Sequence, residues 1–209
     1  MMGRIIETDL DVLEGTTWLV AREPRFAYAL ALTGVPPLRR KPVGFETLLD
    51  AVMSQQVSVA SANAIWRRLE AAQLTLPDRI ASSSEEELRS CGLSRQKTAY
   101  AFALARSGLD FSELEAMADE DVIARLVMLP GIGRWTAEIY ALSALGRADV
   151  FAAGDLALQE AARHLFTLEA RPSERQMRQM AENWSPWRAV AARLLWAYYR
   201  VAREREGIR

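Results

Sequence analysis

The segment Leu129-Pro130-Gly131-Ile132-Gly133 leaves the chain little choice of path. Residues 119–128 before it carry Val122, Ile123, Leu126 and Val127 at helical spacing, and from Arg134 onward a second run of small and apolar residues reads as another helix. Two glycines flanking one apolar residue permit positive φ and close backbone approach. The expectation is a helix, a tight hairpin and a second helix over residues 119–146, with Ile132 plugged into the apolar surface between the helices.

The rest of the chain reads as helix too. Helical segments are expected at 9–22, 24–33, 45–54, 59–72, 77–82, 84–90, 94–108, 119–128, 134–145, 155–166, 173–183 and 186–204. The breaks fall at Pro24, Pro36-Pro37, Pro42, Pro77, Pro130, Pro172 and Pro186. No useful stretch alternates in the manner of a strand, so the fold class is all-α. Ser82-Ser83-Ser84 caps a solvated helix start at Glu85-Glu86-Glu87. With 209 residues and half of them apolar, the chain can bury a substantial core as one large domain or two small lobes. No run of 18 apolar residues marks a membrane span. The first residues, MMGRIIETDLD, are acidic and lack an apolar signal core, so a cytoplasmic protein without membrane contact is expected.

The hairpin has a chemical use. Its amide N–H groups lie beside the N-terminus of the following helix, where unpaired donors and the positive end of the helix dipole favour a phosphate oxygen. Such a contact fixes position and reads no base sequence. Gly131, Gly133, Arg134 and Thr136 are the candidate DNA-backbone contacts. Further on, Asp155 follows Gly154 at the start of the helix expected at 155–166. Breaking a bond between a sugar and a base develops positive charge on the sugar, and a fixed carboxylate stabilises that charge. The plainer role for Asp155 is an N-cap, which aspartate fills well.

Four segments carry a resemblance: Ser54-Gln55-Gln56-Val57-Ser58-Val59-Ala60; Gly92-Leu93-Ser94 with Lys97; the hairpin through Asp155; and Trp184-Ser185-Pro186-Trp187-Arg188. In this order, over residues 45–200, they resemble the helix-hairpin-helix DNA glycosylase superfamily, and within it the 3-methyladenine DNA glycosylase II (AlkA) type. The resemblance implies a partner, double-stranded DNA containing alkylated bases, from which 3-methyladenine and 7-methylguanine are released. It carries over Asp155 as the catalytic acid, Trp135 and Trp196 as aromatic walls of the base pocket, and Gln56 as the wedge that fills the emptied helix. Gln55 and Val57 remain alternatives for the wedge. The carbonyls of Val127, Leu129 and Ile132 match positions that hold a structural Na+ or K+ in the superfamily. The implied architecture is two helical lobes around a cleft in a single domain of residues 1–209: a central lobe, 45–150, and a second lobe of 1–44 with 151–209. With 44 residues ahead of the match, no N-terminal β domain is expected.

Departures from the family pattern sharpen the reading. Glycosylase-lyases of the superfamily carry a lysine two residues after the second hairpin glycine. Here that place is Trp135, and no lysine follows Lys97. With no amine to form a Schiff base, a monofunctional glycosylase is expected. Trp135 instead offers an electron-rich face to a cationic base. An aromatic of the relatives is displaced from Ile139 to Tyr140, so Tyr140 joins the candidate pocket and wider substrate breadth, ethenoadenine included, is expected. Cys91 is the one cysteine, which excludes a four-cysteine iron–sulfur cluster, and His164 is the one histidine. No cofactor is required. The formal charge of −1 predicts modest nonspecific affinity, because duplex binding leans on Lys and Arg. A monomer is the default. Rival readings are a glycosylase for other damaged bases and a non-catalytic helix-hairpin-helix DNA-binding protein.

Overall fold

The computed structural model describes residues 3–206. Among them there is no strand, only one isolated bridge between Ile5 and Arg147. Two helices open the chain, α1 (Asp9–Arg22) and α2 (Pro24–Thr33). Seven follow: α3 (Phe45–Met53), α4 (Val59–Ala71), α5 (Pro77–Ser82), α6 (Glu85–Ser90), α7 (Arg95–Ala105), α8 (Phe111–Ala116) and α9 (Asp119–Val127). After α10 (Arg134–Ser143) come α11 (Leu156–Leu165), α12 (Glu174–Glu182) and α13 (Arg188–Glu206). The all-α expectation holds, and no N-terminal β domain is present among the described residues.

Local chemistry explains where helices start. Thr8, Ser84 and Ser173 each build a capping box with the residue at the third helical position, Asp11, Glu87 and Gln176. Helix α8 was not anticipated. Its six residues are too few to show a period, but Asp110 accepts the Ser112 N–H at 2.8 Å and nucleates the turn, while Leu114 is buried.

The chain forms two compact units. One joins Met1–Arg40 to Ala141–Arg209; the other is the continuous stretch Lys41–Tyr140. These junctions differ from the expected 44/45 and 150/151. The reason is pairing inside the discontinuous unit: Ile6 N–H donates to Gly146 O at 2.7 Å and Arg40 Nη1 donates to Ile6 O at 2.8 Å. Both ends of the expected boundaries are therefore stitched to the first residues of the chain.

In the discontinuous unit α13 packs against α11, α2 and α1. Trp184 is the hub, with ring centroids 5.4 Å from Phe26, 5.4 Å from Phe151 and 5.8 Å from Phe166. Such aromatic pairs add about 0.5–1.5 kcal/mol each beyond their buried area. In the continuous unit α7 packs against α3, α5 and α6 over buried Leu48, Leu49, Ile80, Leu88 and Leu104.

Candidate active site and nucleic-acid interface

The continuous unit carries the hairpin. Ile132 is buried, as expected for the plug, and its N–H donates to Leu129 O at 3.1 Å, closing the turn. The two glycines differ in their reasons. Gly131 has φ of +86°, and a Cβ there would lie 2.4 Å from the Tyr100 ring, so backbone and packing both demand glycine. Gly133 has no positive φ and a Cβ there would enter open space. Of the two glycines, Gly131 alone uses the positive φ that both permit. Gly133 O accepts the Ala137 N–H at 3.0 Å and begins α10.

Other candidates of this unit are sorted by burial. Trp135, in the first turn of α10, is 40% exposed. Val127, the last of the apolar residues at helical spacing in α9, is 43% exposed at its end. The Arg134 guanidinium is engaged by carboxylates, with Nε donating to Glu138 at 3.0 Å and Nη2 to both Glu120 oxygens at 2.9 Å. Its charge is largely answered within the protein. The Thr136 side chain is buried, and its hydroxyl accepts from Gln55 Nε2 at 3.0 Å, so the hydroxyl is engaged within the protein. Tyr140 is corrected as well. It has no exposed surface, packs on Phe111 and accepts the Gly44 N–H at 2.9 Å, bracing the start of α3. Burial pushes its phenol up to about 12, so it stays a neutral hydroxyl.

The Ser54–Ser58 turn joins α3 to α4. Gln56 sits exposed at its tip with φ of +56°. Gln55 turns inward instead, donating from Nε2 to Gly131 O at 3.0 Å and to Thr136. Lys97 Nζ donates to Met53 O at 2.6 Å and to Gln55 O at 2.8 Å. Partial burial holds the Lys97 ammonium below its usual pKa. Sequence reasoning marked Lys97 as part of a motif without its role and did not anticipate the inward turn of Gln55.

The discontinuous unit carries Asp155. It is the N-cap of α11: Oδ1 accepts the N–H groups of Ala157 at 2.9 Å and Leu158 at 3.0 Å. Trp196, from the middle of α13, donates its indole N–H to the same oxygen at 3.2 Å. The capping role is therefore real, and it fixes the direction of the carboxylate. The approach to Asp155 is pinned too. Its N–H donates to Ala152 O at 2.9 Å, and buried Gln159 donates to Ala153 O at 2.9 Å. Asp149 takes a two-pronged contact from Arg188, at 2.7 and 2.8 Å, and a bond from Ser185 at 2.8 Å. Asp149 and Gln159 were missed from sequence. Arg188, already noted in the Trp-Ser-Pro-Trp-Arg segment, was the available signal for an acidic partner.

Trp196→Phe keeps an aromatic ring, though a smaller one, and removes the donor. If the indole N–H orients the Asp155 carboxylate for catalysis, this variant should release base roughly tenfold more slowly, the scale of one hydrogen bond to a charged group, with DNA affinity unchanged. Single-turnover rates beside a binding titration check it.

Geometry of this kind defines a class. A helical protein with a glycine hairpin opening onto α10 and a capped aspartate beginning α11 matches the HhH-GPD superfamily of base excision DNA repair proteins over residues 49–186. The chain belongs to that family. It is 34% identical over 167 residues to DNA-3-methyladenine glycosylase 1 of Schizosaccharomyces pombe, covering 76% of this chain and 73% of that protein. Among solved structures, a DNA-3-methyladenine glycosidase of Bacillus halodurans is similar with a TM-score of 0.77 and 32% identity, covering 92% of this chain and 91% of that one. The S. pombe 3-methyladenine DNA glycosylase in complex with abasic DNA is similar with a TM-score of 0.75 and 28% identity, covering 88% and 95%. No helix among the described residues is long and apolar enough to cross a membrane.

Proposed function

We propose that this protein is a monofunctional DNA glycosylase that hydrolyses the N-glycosidic bond of alkylated bases in double-stranded DNA. The observation that carries the reading is the Asp155 carboxylate, held by two backbone N–H groups and the Trp196 indole in a member of a base excision repair family. A methylated purine is already cationic and leaves readily. What the reaction needs is stabilisation of the sugar as the base departs, and a preorganised carboxylate supplies it electrostatically. Asp155 either faces the cationic sugar directly or takes a proton from the attacking water.

The remaining parts serve delivery. The base must leave the stack before it can react. Gln56, exposed at the tip of its turn, is the wedge that enters the gap, and its amide can also hydrogen-bond the stranded partner base. Gln55 is engaged within the protein, which favours Gln56 for this part. Trp135 stacks on the cationic base. The N–H groups at Gly133 and the start of α10 receive a backbone phosphate, and the open space at Gly133 Cβ suits close approach of a strand. Trp135 stands where a lyase carries its lysine, so the product is an intact abasic site.

A Na+ or K+ ion fits the hairpin carbonyls in kind. Val127, Leu129 and Ile132 offer oxygen ligands only, and Leu129 O keeps a lone pair beside the one that accepts Ile132 N–H. Such an ion would stiffen the turn and add positive field at the phosphate. No other cofactor enters the reaction.

Base release from methylated DNA is the test: 3-methyladenine and 7-methylguanine should appear with wild-type protein, ethenoadenine more slowly, and 8-oxoguanine not at all. Release of 8-oxoguanine with none of the methylated bases would overturn the assignment. The protein acts as a monomer and answers little DNA charge, with net −1 and Arg134 already paired. The logarithm of its binding constant should therefore fall with the logarithm of salt at a slope shallower than about −4, fewer than roughly five phosphate contacts.

A further inference from the structure

The turn that carries Gln56 and the hairpin that begins α10 are distant in sequence, yet they are bonded to one another inside the continuous unit. Gln55 Nε2 donates to Gly131 O at 3.0 Å and to Thr136 Oγ1 at 3.0 Å, spanning 76 and 81 residues. Lys97, from the first turn of α7, holds two carbonyls where the chain leaves α3 and enters the turn, Met53 O and Gln55 O. Each partner has little freedom. Gly131 is locked by its left-handed backbone against Tyr100, Thr136 is buried, and the Lys97 stem is half-buried. One side chain thus ties a carbonyl of the hairpin and a hydroxyl of α10 to the residue next to Gln56.

We infer that Gln55 and Lys97 are positioning residues that couple the phosphate-gripping hairpin to the wedge, so that capture of the strand sets the height at which Gln56 enters the duplex. The inference rests on the reading of the hairpin and Gln56 given above. Gln55 needs no contact with DNA. Its neighbour in the chain is displaced outward because Gln55 itself is drawn inward, and Lys97 keeps the two carbonyls of the turn from rotating away. With the tie cut, strand capture persists and base eversion suffers.

The coupling predicts a dependence on substrate that a merely structural role does not give. Gln55→Glu keeps the shape but replaces the donor by an acceptor facing Gly131 O, and Lys97→Met keeps the stem without the ammonium. On a fully paired duplex holding a methylated base, each variant should lower the single-turnover rate about tenfold to a hundredfold, the range for a misplaced group away from the chemistry. With the same lesion in a bulge, where unpairing is already done, the loss should shrink to about twofold or less. Equal losses on both substrates, or no loss on either, overturn the inference. A second readout uses 2-aminopurine opposite a stable abasic-site analogue. Wild type should raise its emission on binding, and both variants should bind with similar affinity and raise it far less; an undiminished rise also overturns the inference. This arm needs no base release, so if wild type releases no methylated base the proposed activity fails while the coupling is still decided.

Discussion

Replacing Asp155 by asparagine should abolish measurable base release, a fall of at least about a hundredfold, while DNA binding and thermal stability persist. As an N-cap, Asp155 presents Oδ1 to Ala157 and Leu158, and to Trp196. Asparagine has a carbonyl oxygen for the same place and caps about as well, so the change in stability should stay within about 0.5 kcal/mol. What asparagine lacks is the negative charge that, in the proposed mechanism, would face a cationic sugar. A rate deficit without a stability deficit assigns that charge to the chemistry. Retained turnover in Asp155→Asn would remove the residue from the mechanism and return it to capping alone.

The second large effect is a contrast between neighbouring glycines. Gly131→Ala should unsettle the fold. Alanine at φ of +86° is strained by about 1–3 kcal/mol, and its methyl would meet the Tyr100 ring, where overpacking costs about 1–3 kcal/mol more. For a chain of this size the melting temperature should fall by roughly 4–24 °C. Gly133→Ala should cost under about 1 kcal/mol, since nothing lies near its Cβ and its φ is not left-handed. If Gly133 is open because a phosphate comes there, this harmless methyl should still weaken DNA binding about tenfold or more. Thermal melts and binding titrations on both variants check the contrast. Normal binding by Gly133→Ala would move the phosphate elsewhere.

Much of this was legible from residues. Proline breaks and helical spacing placed all the long helices to within about three residues, the usual looseness of helix ends. The hairpin and Asp155 stood out because glycine and a helix-starting acid leave local marks. Direction is what the sequence did not carry. Arg134, Thr136 and Tyr140 lie on or beside the right helix, but helical spacing alone did not say which faces were claimed by Glu120 and Glu138, by Gln55 or by Gly44. Gln55 and Gln56 are chemically identical, and only the left-handed backbone at Gln56 separates the inward amide from the outward one. For Gln55 and Tyr140 the deciding partners lie 76, 81 and 96 residues away, and a local pattern cannot hold them.

The clasp between Asp149 and Arg188 bears on how the protein is made. Continuous residues 41–140 can collapse as soon as they leave the ribosome, because their partners are all already synthesised. The aspartate-bearing half cannot. Its first two helices must wait for α13, which also brings the indole for Asp155 and the guanidinium for Asp149. A nascent chain therefore completes its glycine hairpin and the Gln56 turn before the Asp155 carboxylate gains its indole donor, and a product truncated ahead of α13 would carry the first without the second.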